Sequence, residues 1–518
     1  MTTVRSAAMA LLDQLGMTTI FGNPGSTELP MFRDFPAHFR YILGLQESVV
    51  IGMADGYAQA SRTAAFVNLH SAAGVGHGLG NLFTAFKNQT PLVVTAGQQA
   101  RSILPYEPFL FAERPTEFPR PYVKWAVEPA RAEDVPGAIL RAWHMAMQPP
   151  CGPVFVSIPI DDWDRPCEPV ELTRVSRSIM GDADALREVS DALASANSPA
   201  FVVGAGVALG DAWDEVIALA ERHEAGVFVA PMAARNAFPE DHRLFRGFLT
   251  AFREAIVAAL AGHDLILVIG APAFTYHAEG FGPHVPDGAR LFQLVDDVKT
   301  ASWTPAGTAV ITSLKPGIAA LLQGPEPRLR PRLEAKPAAI PGSAGFTGAH
   351  ALHILASLRP AGSIIVEEAP SHRGVMHDFL PITQPDTFFT TASGGLGHGL
   401  PAAIGVALAR PDARVIAVLG DGSAMYAIQG LWTAAHHGLP ITFIIMNNRR
   451  YEALHVFGRH FGLQSLEGTD LSGLDFVALS AGQGVSGQRV GDAAGLTAAL
   501  HASLASVGPS LIEILVDD

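Results

Sequence analysis

The chain has 518 residues. A single hydrophobic core stops growing near roughly 250–300 residues, so two or three domains are expected. Apolar residues make up 48%, charged ones 16%, and the formal net charge is −14, which excludes a disordered chain and argues against a nucleic-acid surface or a basic membrane patch.

Cys151 and Cys167 are the only cysteines. They are too few for a disulfide framework or a zinc site, and a reducing, cytoplasmic setting is the expectation. No apolar run reaches the roughly 18 residues of a membrane span. The opening MTTVRSAAMALLDQLGMTTIFG reads as a helix running into a strand and not as a signal peptide, because Asp13 and Gln14 break its apolar stretch.

Strand-like runs then alternate with Ala-rich helical stretches: TTIFG, AAFVNL, PLVVTAG, PVFVSIP, AFVVGAG, LILVIGAP, RVIAVLGDG and ITFIIMNN. Buried strands separated by helices imply parallel sheets with crossover helices. Residues 161–182 and 324–345 are rich in Pro and charge and read as linkers. The expected fold is α/β, three doubly wound parallel-sheet domains over residues 1–165, 183–325 and 346–518.

Four segments carry candidate chemistry in the first two units. Glu47 follows the strand-like YILGL and starts an apolar helical stretch, where the helix macrodipole favours an acid. Ser26 in NPGS and His70 in NLHSAAG bring a hydroxyl and an imidazole, groups that orient carboxylates and move protons near neutral pH. FVVGAGVALG in the middle unit offers glycines at 204, 206 and 210, with Glu221 and Glu224 downstream. That is one residue off the dinucleotide fingerprint, so a nicotinamide-linked dehydrogenase is only a weak alternative.

The third unit is the most informative. A buried strand ends in Gly420-Asp421-Gly422, and a helix is expected from near Ser423. The next strand, ITFIIM, ends in Asn447-Asn448. Ligands in open α/β sheets sit beyond the carboxyl ends of strands, so two strands deliver an Asp and an Asn to one place. Asp421, the Asn448 amide and the Arg450 carbonyl give the oxygen-only donor set that Mg²⁺ prefers. Gly420 and Gly422 let the backbone approach phosphates, and a helix N-terminus would add positive potential.

Strand–GDG–helix–strand–NN resembles the diphosphate signature of the thiamine-diphosphate-dependent enzymes, and TTASGGLGHGLPAAIGVALA is similar to the segment that lies against the cofactor pyrimidine there. The resemblance implies thiamine diphosphate with Mg²⁺ (Ca²⁺ an acceptable substitute) and makes FAD an unexpected ligand. Its implied cofactor contacts are Asn23, Pro24, Gly25, Glu47, Ser371, Gly394, Leu396, Gly420, Asp421, Gly422, Ser423, Asn448 and Tyr451. Leu396 would wedge the cofactor into its bent form. Glu47 would be the buried acid on the pyrimidine that activates it, facing a cofactor held by another subunit. That implies a dimer, or a dimer of dimers.

FGNPGSTELP, LQESVVIGMADGYAQASR and the stretch through VVTAGQQ resemble the benzoylformate decarboxylase branch. This likeness implies decarboxylation of a small-molecule 2-keto acid, with Ser26, His70 and His277 (in FTYHAEG) as the polar groups acting on it. Phe109, Leu110, Thr390, Ala453, Leu454 and Phe457 would form the pocket wall. Thr390, Pro370, Arg449, Arg450 and Glu452 depart from the branch pattern and bear on the substrate. An acetolactate-synthase-like or benzaldehyde-lyase-like carboligase is the runner-up. His77, His398, His436 and His437 are the remaining histidines of interest.

Overall fold

The structure is a computed structural model describing residues 2–342 and 345–517. Its strands form three six-stranded sheets. The first holds β1 (Thr19–Gly22), β2 (Arg40–Leu43), β3 (Ala65–Leu69), β4 (Leu92–Gln98), β5 (Ala126–Val127) and β6 (Val154–Pro159), in the order β2-β1-β3-β4-β6-β5. The second holds β7 (Pro199–Val203), β8 (Gly226–Val229), β9 (Phe245–Phe248), β10 (Leu265–Ile269), β11 (Arg290–Val295) and β12 (Thr308–Ile311), in the order β12-β11-β10-β7-β8-β9. The third holds β13 (Ile364–Glu368), β14 (Phe388–Phe389), β15 (Val415–Gly420), β16 (Ile441–Asn447), β17 (Ser486–Val490) and β18 (Ser510–Leu515), in the order β14-β13-β15-β16-β18-β17.

The interior strands β3, β4, β7, β10, β13 and β16 are buried along their whole length. That is what a parallel sheet covered by helices on both faces demands, and it explains their near-continuous apolar sequences. The exposed edge strand β17 instead carries Ser, Gln and Arg. The first and third sheets share one wiring. In each, the chain steps outward from its first strand to the second, then crosses back to place the third on the other side. The two strands flanking that reversal diverge at their carboxyl ends and leave a crevice. In the first sheet these are β1 and β3; in the third, β13 and β15.

Two compact units contain these sheets. One comprises Met1–Val175, Ala344–Arg373 and Ser393–Asp518; the other comprises Ser176–Ser343 and Gly374–Ala392. Within the second unit, the 374–392 segment is tied down by ion pairs from Arg235 to Asp386 (2.7 Å) and from His377 to Glu240 (2.8 Å). Within the first, the helices Glu47–Ser61 and Gly399–Ala409 cross at backbone contact. A Cβ on Gly405 would stand 1.9 Å from the Met53 carbonyl oxygen, and one on Gly56 would stand 2.1 Å from that of Ala402. The second helix is apolar on every side and buried from Gly399 to Leu408, as a helix enclosed by protein must be.

The glycines of FVVGAGVALG have a packing role. Cβ atoms on Gly204 and Gly206 would fall 2.6 Å from Ala271 Cβ and 2.7 Å from Gly270 Cα. Glu224 is held by both guanidinium nitrogens of Arg243, at 2.6 and 2.7 Å, and Glu221 by His242 at 3.3 Å. The dinucleotide pattern in the sequence is therefore explained by close backbone approach and surface ion pairs. Among the described residues no helix is long and apolar enough to cross a membrane.

The helix crossing gives a direct test. Gly405→Ala must push the two backbones apart, at a cost of about 1–3 kcal/mol or more. Its thermal midpoint should fall by several degrees, whereas Gly482→Ala, with nothing within 4 Å of the added methyl, should melt like the parent.

Candidate active site

The β1/β3 crevice is built around a carboxylate. After β1 the chain passes Asn23, Pro24 and Gly25 into the 3₁₀ helix Ser26–Phe32. Glu28, 1% exposed, turns back beneath this loop. Its Oε2 accepts the Gly25 N–H at 2.8 Å, and its Oε1 accepts the Gly97 N–H at 2.9 Å and the Thr27 hydroxyl at 2.6 Å. His70, directly after β3, places Nδ1 2.9 Å from Glu28 Oε2. With Nδ1 engaged by a carboxylate, the ring is oriented and Nε2 is left for a substrate. Ser26 is exposed at the head of the 3₁₀ helix.

Glu47 opens the helix Glu47–Ser61 and is 7% exposed. A Cβ on Gly74 would lie 3.1 Å from Glu47 Oε1 and 3.5 Å from His70 Cβ, so Glu47 and His70 flank the first turn of the helix Ser71–Lys87. His77, one turn further on, reaches Glu47 Oε2 at 3.2 Å while staying 66% exposed.

The second crevice lies where β13, β15 and β16 end. The helix after the GDG turn begins at Asp421, earlier than expected, and runs only to Met425. With five residues its macrodipole is small, and the turn's own N–H groups are the donors that matter. Asp421 is 4% exposed. Its Oδ1 accepts the Gly422 N–H at 2.7 Å; its Oδ2 is buried without a hydrogen-bond partner. Burial raises the Asp421 carboxyl above its ordinary range, opposed by the main-chain N–H groups of Gly422, Arg449 and Arg450 and by the charge of His372. The loop after β16 therefore stands beside this carboxylate. The Arg450 N–H lies 3.4 Å from Asn448 Oδ1, and the Arg450 carbonyl accepts from the Glu452 N–H at 2.9 Å, keeping one lone pair.

A buried carboxylate oxygen with no donor is costly unless a cation takes it. The donor set around it fits a hard, oxygen-seeking ion bound partly through a ligand's phosphate oxygens. Among the described residues no group of three His, Cys, Asp or Glu side chains suits a metal on its own. Tyr451 packs on the GDG turn, its Cε1 2.2 Å from where a Gly422 Cβ would be. Ser423 is buried and Ser371 is exposed on the loop after β13.

The Ser393–Gly397 loop flanks the same crevice. Gly394 and Gly397 have φ of +72° and +93°, conformations that favour glycine. Thr84 bonds Ser393 through their hydroxyls at 2.9 Å, and the Asn81 amide donates to the Gly397 carbonyl at 3.0 Å. Gly394 is exposed and Leu396 half-buried.

The remaining sequence candidates are carried by other elements. Phe109 is 86% exposed. Leu110 has φ +65° and accepts the Ser71 hydroxyl on its carbonyl at 2.8 Å. Ala453, Leu454 and Phe457 sit on the helix Glu452–His460, with Leu454 exposed and Phe457 ring-stacked on Phe461. Arg449 has φ +62°, and Glu452 pairs with Arg450 at 2.7 Å and Arg459 at 3.0 Å. In the second unit, His277 is on a loop with its N–H donating to the Ala251 carbonyl, and Thr390 is buried with its N–H donating to the Ala234 carbonyl. His436 stacks on Trp432 and meets His437 edge-on. Glu28 went unread in the sequence; its one signal was its place three residues after Gly25, where a capping acid belongs.

Three family models match the chain: "Thiamine pyrophosphate enzyme, N-terminal TPP binding domain" over residues 2–111, "central domain" over 186–321, and "C-terminal TPP binding domain" over 369–514. A benzoylformate decarboxylase of Pseudomonas aeruginosa is 42% identical over 99% of both chains. The crystal structure of benzoylformate decarboxylase from Polynucleobacter necessarius superposes with a TM-score of 0.97 at 38% identity, covering 100% of this chain and 99% of that one. A thiamine diphosphate-dependent 4-hydroxybenzoylformate decarboxylase of Rhodococcus jostii superposes at 0.96 and 39% identity, with the same coverage.

The Asp421 geometry sets a trade between binding and stability. A carboxyl whose folded-state pKa lies above its ordinary value costs stability once it is ionised, and the loss is recovered as pH falls through that value. Asp421→Asn should therefore raise the melting midpoint of the metal-free protein at pH 8. The same variant should weaken joint binding of Mg²⁺ and inorganic diphosphate at least about 10–100-fold, measured by calorimetry.

Proposed function

This chain belongs to the thiamine pyrophosphate enzymes, and from that premise we propose that it decarboxylates an aryl-substituted 2-keto acid, benzoylformate or a ring-substituted form, to the aldehyde and CO₂. The observation that carries this reading is the buried, partnerless oxygen of Asp421 at a strand-end crevice beside the Asn448 loop. The relatives named for benzoylformate and 4-hydroxybenzoylformate decarboxylation support the substrate class.

In this proposal Asp421, Asn448 and the Arg450 carbonyl hold Mg²⁺ and through it the cofactor diphosphate. Gly420, Gly422, Ser423, Ser371 and Tyr451 line that end, while Gly394 and Leu396 hold the pyrimidine end. When bound, thiamine diphosphate supplies a nucleophilic carbon and an electron sink for the bond that releases CO₂. The protein does the rest. Glu47, buried at a helix start, holds a proton against the pyrimidine ring. The Asn23–Gly25 loop approaches the same ring. Ser26 orients the substrate carboxylate without adding a like charge. His70, its ring fixed by Glu28, moves protons at the reacting carbon, and His277 serves the later transfer. Phe109, Leu110, Thr390, Ala453, Leu454 and Phe457 are the proposed aryl wall and, by excluding water, favour loss of the charged carboxylate.

We further propose that Glu47 serves the cofactor of a second copy, in a dimer or a dimer of dimers. This reading rests on the family resemblance, in which the domain carrying the activating glutamate faces the diphosphate-binding domain of another subunit.

Purified protein should yield thiochrome on oxidation and release CO₂ from benzoylformate faster than from pyruvate or branched keto acids. A preparation that neither retains nor binds thiamine diphosphate sinks the reading. Glu47→Gln should fold normally and lose about 10³-fold or more in kcat. Glu28→Gln keeps a hydrogen-bonding side chain but no charge beside His70, and should lower kcat about tenfold or more while KM changes little.

A further inference from the structure

Three ionisable side chains lie buried where the helix Gly399–Ala409 begins, and the reaction above uses none of them. His398, immediately before that helix, and Asp55, on the helix Glu47–Ser61, are both fully buried. His398 Nε2 donates a short hydrogen bond to Asp55 Oδ2. Asp55 is further held by Asn88 at 2.9 Å and Gln59 at 3.1 Å. Glu368, at the end of β13, is 1% exposed. One of its oxygens accepts the Gly397 N–H at 2.6 Å and the other accepts the Gly399 N–H in a short bond. Both carboxylate oxygens of Glu368 thus clasp the two residues on either side of His398.

We propose that Asp55, His398 and Glu368 form a buried positioning relay that fixes the Ser393–Gly399 loop in the shape that holds the cofactor pyrimidine. The inference rests on the assignment of Gly394 and Leu396 to that cofactor. These residues lie between the Thr84–Ser393 bond on one side and the Glu368 clasp on the other, so loosening the clasp frees the wedge.

The clasp needs an ionised Glu368. A protonated carboxyl offers one good acceptor and one donor, and so satisfies only one of two facing N–H groups. Burial pushes Glu368 up to about 7, opposed by the Gly399 and Gly397 N–H groups and the His398 charge, and assisted by Glu367. Burial also works against charge on His398, but the Asp55 carboxylate, aided by Glu368, outweighs it and raises the imidazole. The groups facing Glu368 are therefore few. His398 stands at the helix start with Asp55 behind it. Glu367 on the same strand is paired with Arg373 at 2.8 Å. The neighbouring β15 presents Leu419 in register. The Gly399 N–H and, after it, the imidazolium held by Asp55 favour the ionised form of Glu368 against its burial.

The test uses Asp55→Asn/His398→Gln, which keeps a donor facing an acceptor but removes both charges. Apoprotein is titrated with thiamine diphosphate at fixed Mg²⁺ from pH 6 to 9. The expected result is a dissociation constant raised about tenfold at pH 7. Its acid-side midpoint should move up by about one unit relative to the parent, with KM for the keto acid at saturating cofactor changed less than about twofold. Unchanged cofactor affinity and midpoint overturn the relay. A second measurement needs no variant. In the unliganded parent, hydrogen exchange over residues 393–399, corrected for intrinsic rates, should accelerate as pH falls through 7. Protection constant from pH 6 to 8 overturns the relay as well. A parent that binds no thiamine diphosphate overturns the proposed function instead, and the exchange result stands apart from it.

Discussion

Where the helices Glu47–Ser61 and Gly399–Ala409 meet at Gly56 and Gly405 there is no room for a side chain: the carbonyl oxygens of Met53 and Ala402 occupy the space where methyl groups on Gly405 and Gly56 would stand. Backbone contact of this kind tolerates little sliding, because interiors are close-packed and resist both gaps and overlap. It fixes where Glu47 starts its helix on one side. On the other it fixes where the Ser393–Gly399 loop must enter the second helix. The polar groups of the unit are arranged around that crossing, with Asp55 and His398 buried within it and Asn81 and Thr84 bonding to the loop beside it.

The acids of the two crevices show how environment assigns roles to one functional group. Glu28 has every near donor it can use, from Gly25, Gly97, Thr27 and His70, and acts as a fixed acceptor. Asp421 has a hydrogen bond on one oxygen only, which suits the other to a cation. Glu368 is satisfied on both oxygens yet buried enough to sit near neutrality. Burial penalises charge on Asp421 and Glu368, and the main-chain N–H groups around each oppose it. An overall charge of −14 is therefore a poor guide to chemistry that depends on which carboxylates are buried and how each is paired.

Much of this was readable from the chain alone. VIAVLG, ITFIIM and their counterparts are continuous apolar runs because their strands are buried on both faces, and the GDG and NN turns fall at adjacent strand ends, as their spacing implied. Glu47 starts its helix as read. What escaped was long-range pairing. Asp55 and His398 are 343 residues apart, and nothing local marks either as charged in a core. Glu368 reads as the end of an apolar strand. The helix after GDG starts two residues before the Ser423 expected from the sequence. The Pro- and charge-rich stretch from residue 161 read as a linker from its start, yet Trp163 is buried and Asp164 is paired with Arg5 and Arg33. Composition cannot reveal which residues of a polar stretch find partners 150 positions away.

The shared strand order of the first and third sheets has a consequence for stoichiometry. Every chain offers one reversal-point hollow of each kind. In a ring or two-fold pair where unlike hollows meet, finished sites equal subunits and none is left over. An open head-to-tail filament would strand an unmatched half at each end. Closed point-group symmetry is thus the arrangement that wastes no hollow, and the smallest such body contains two chains and two sites.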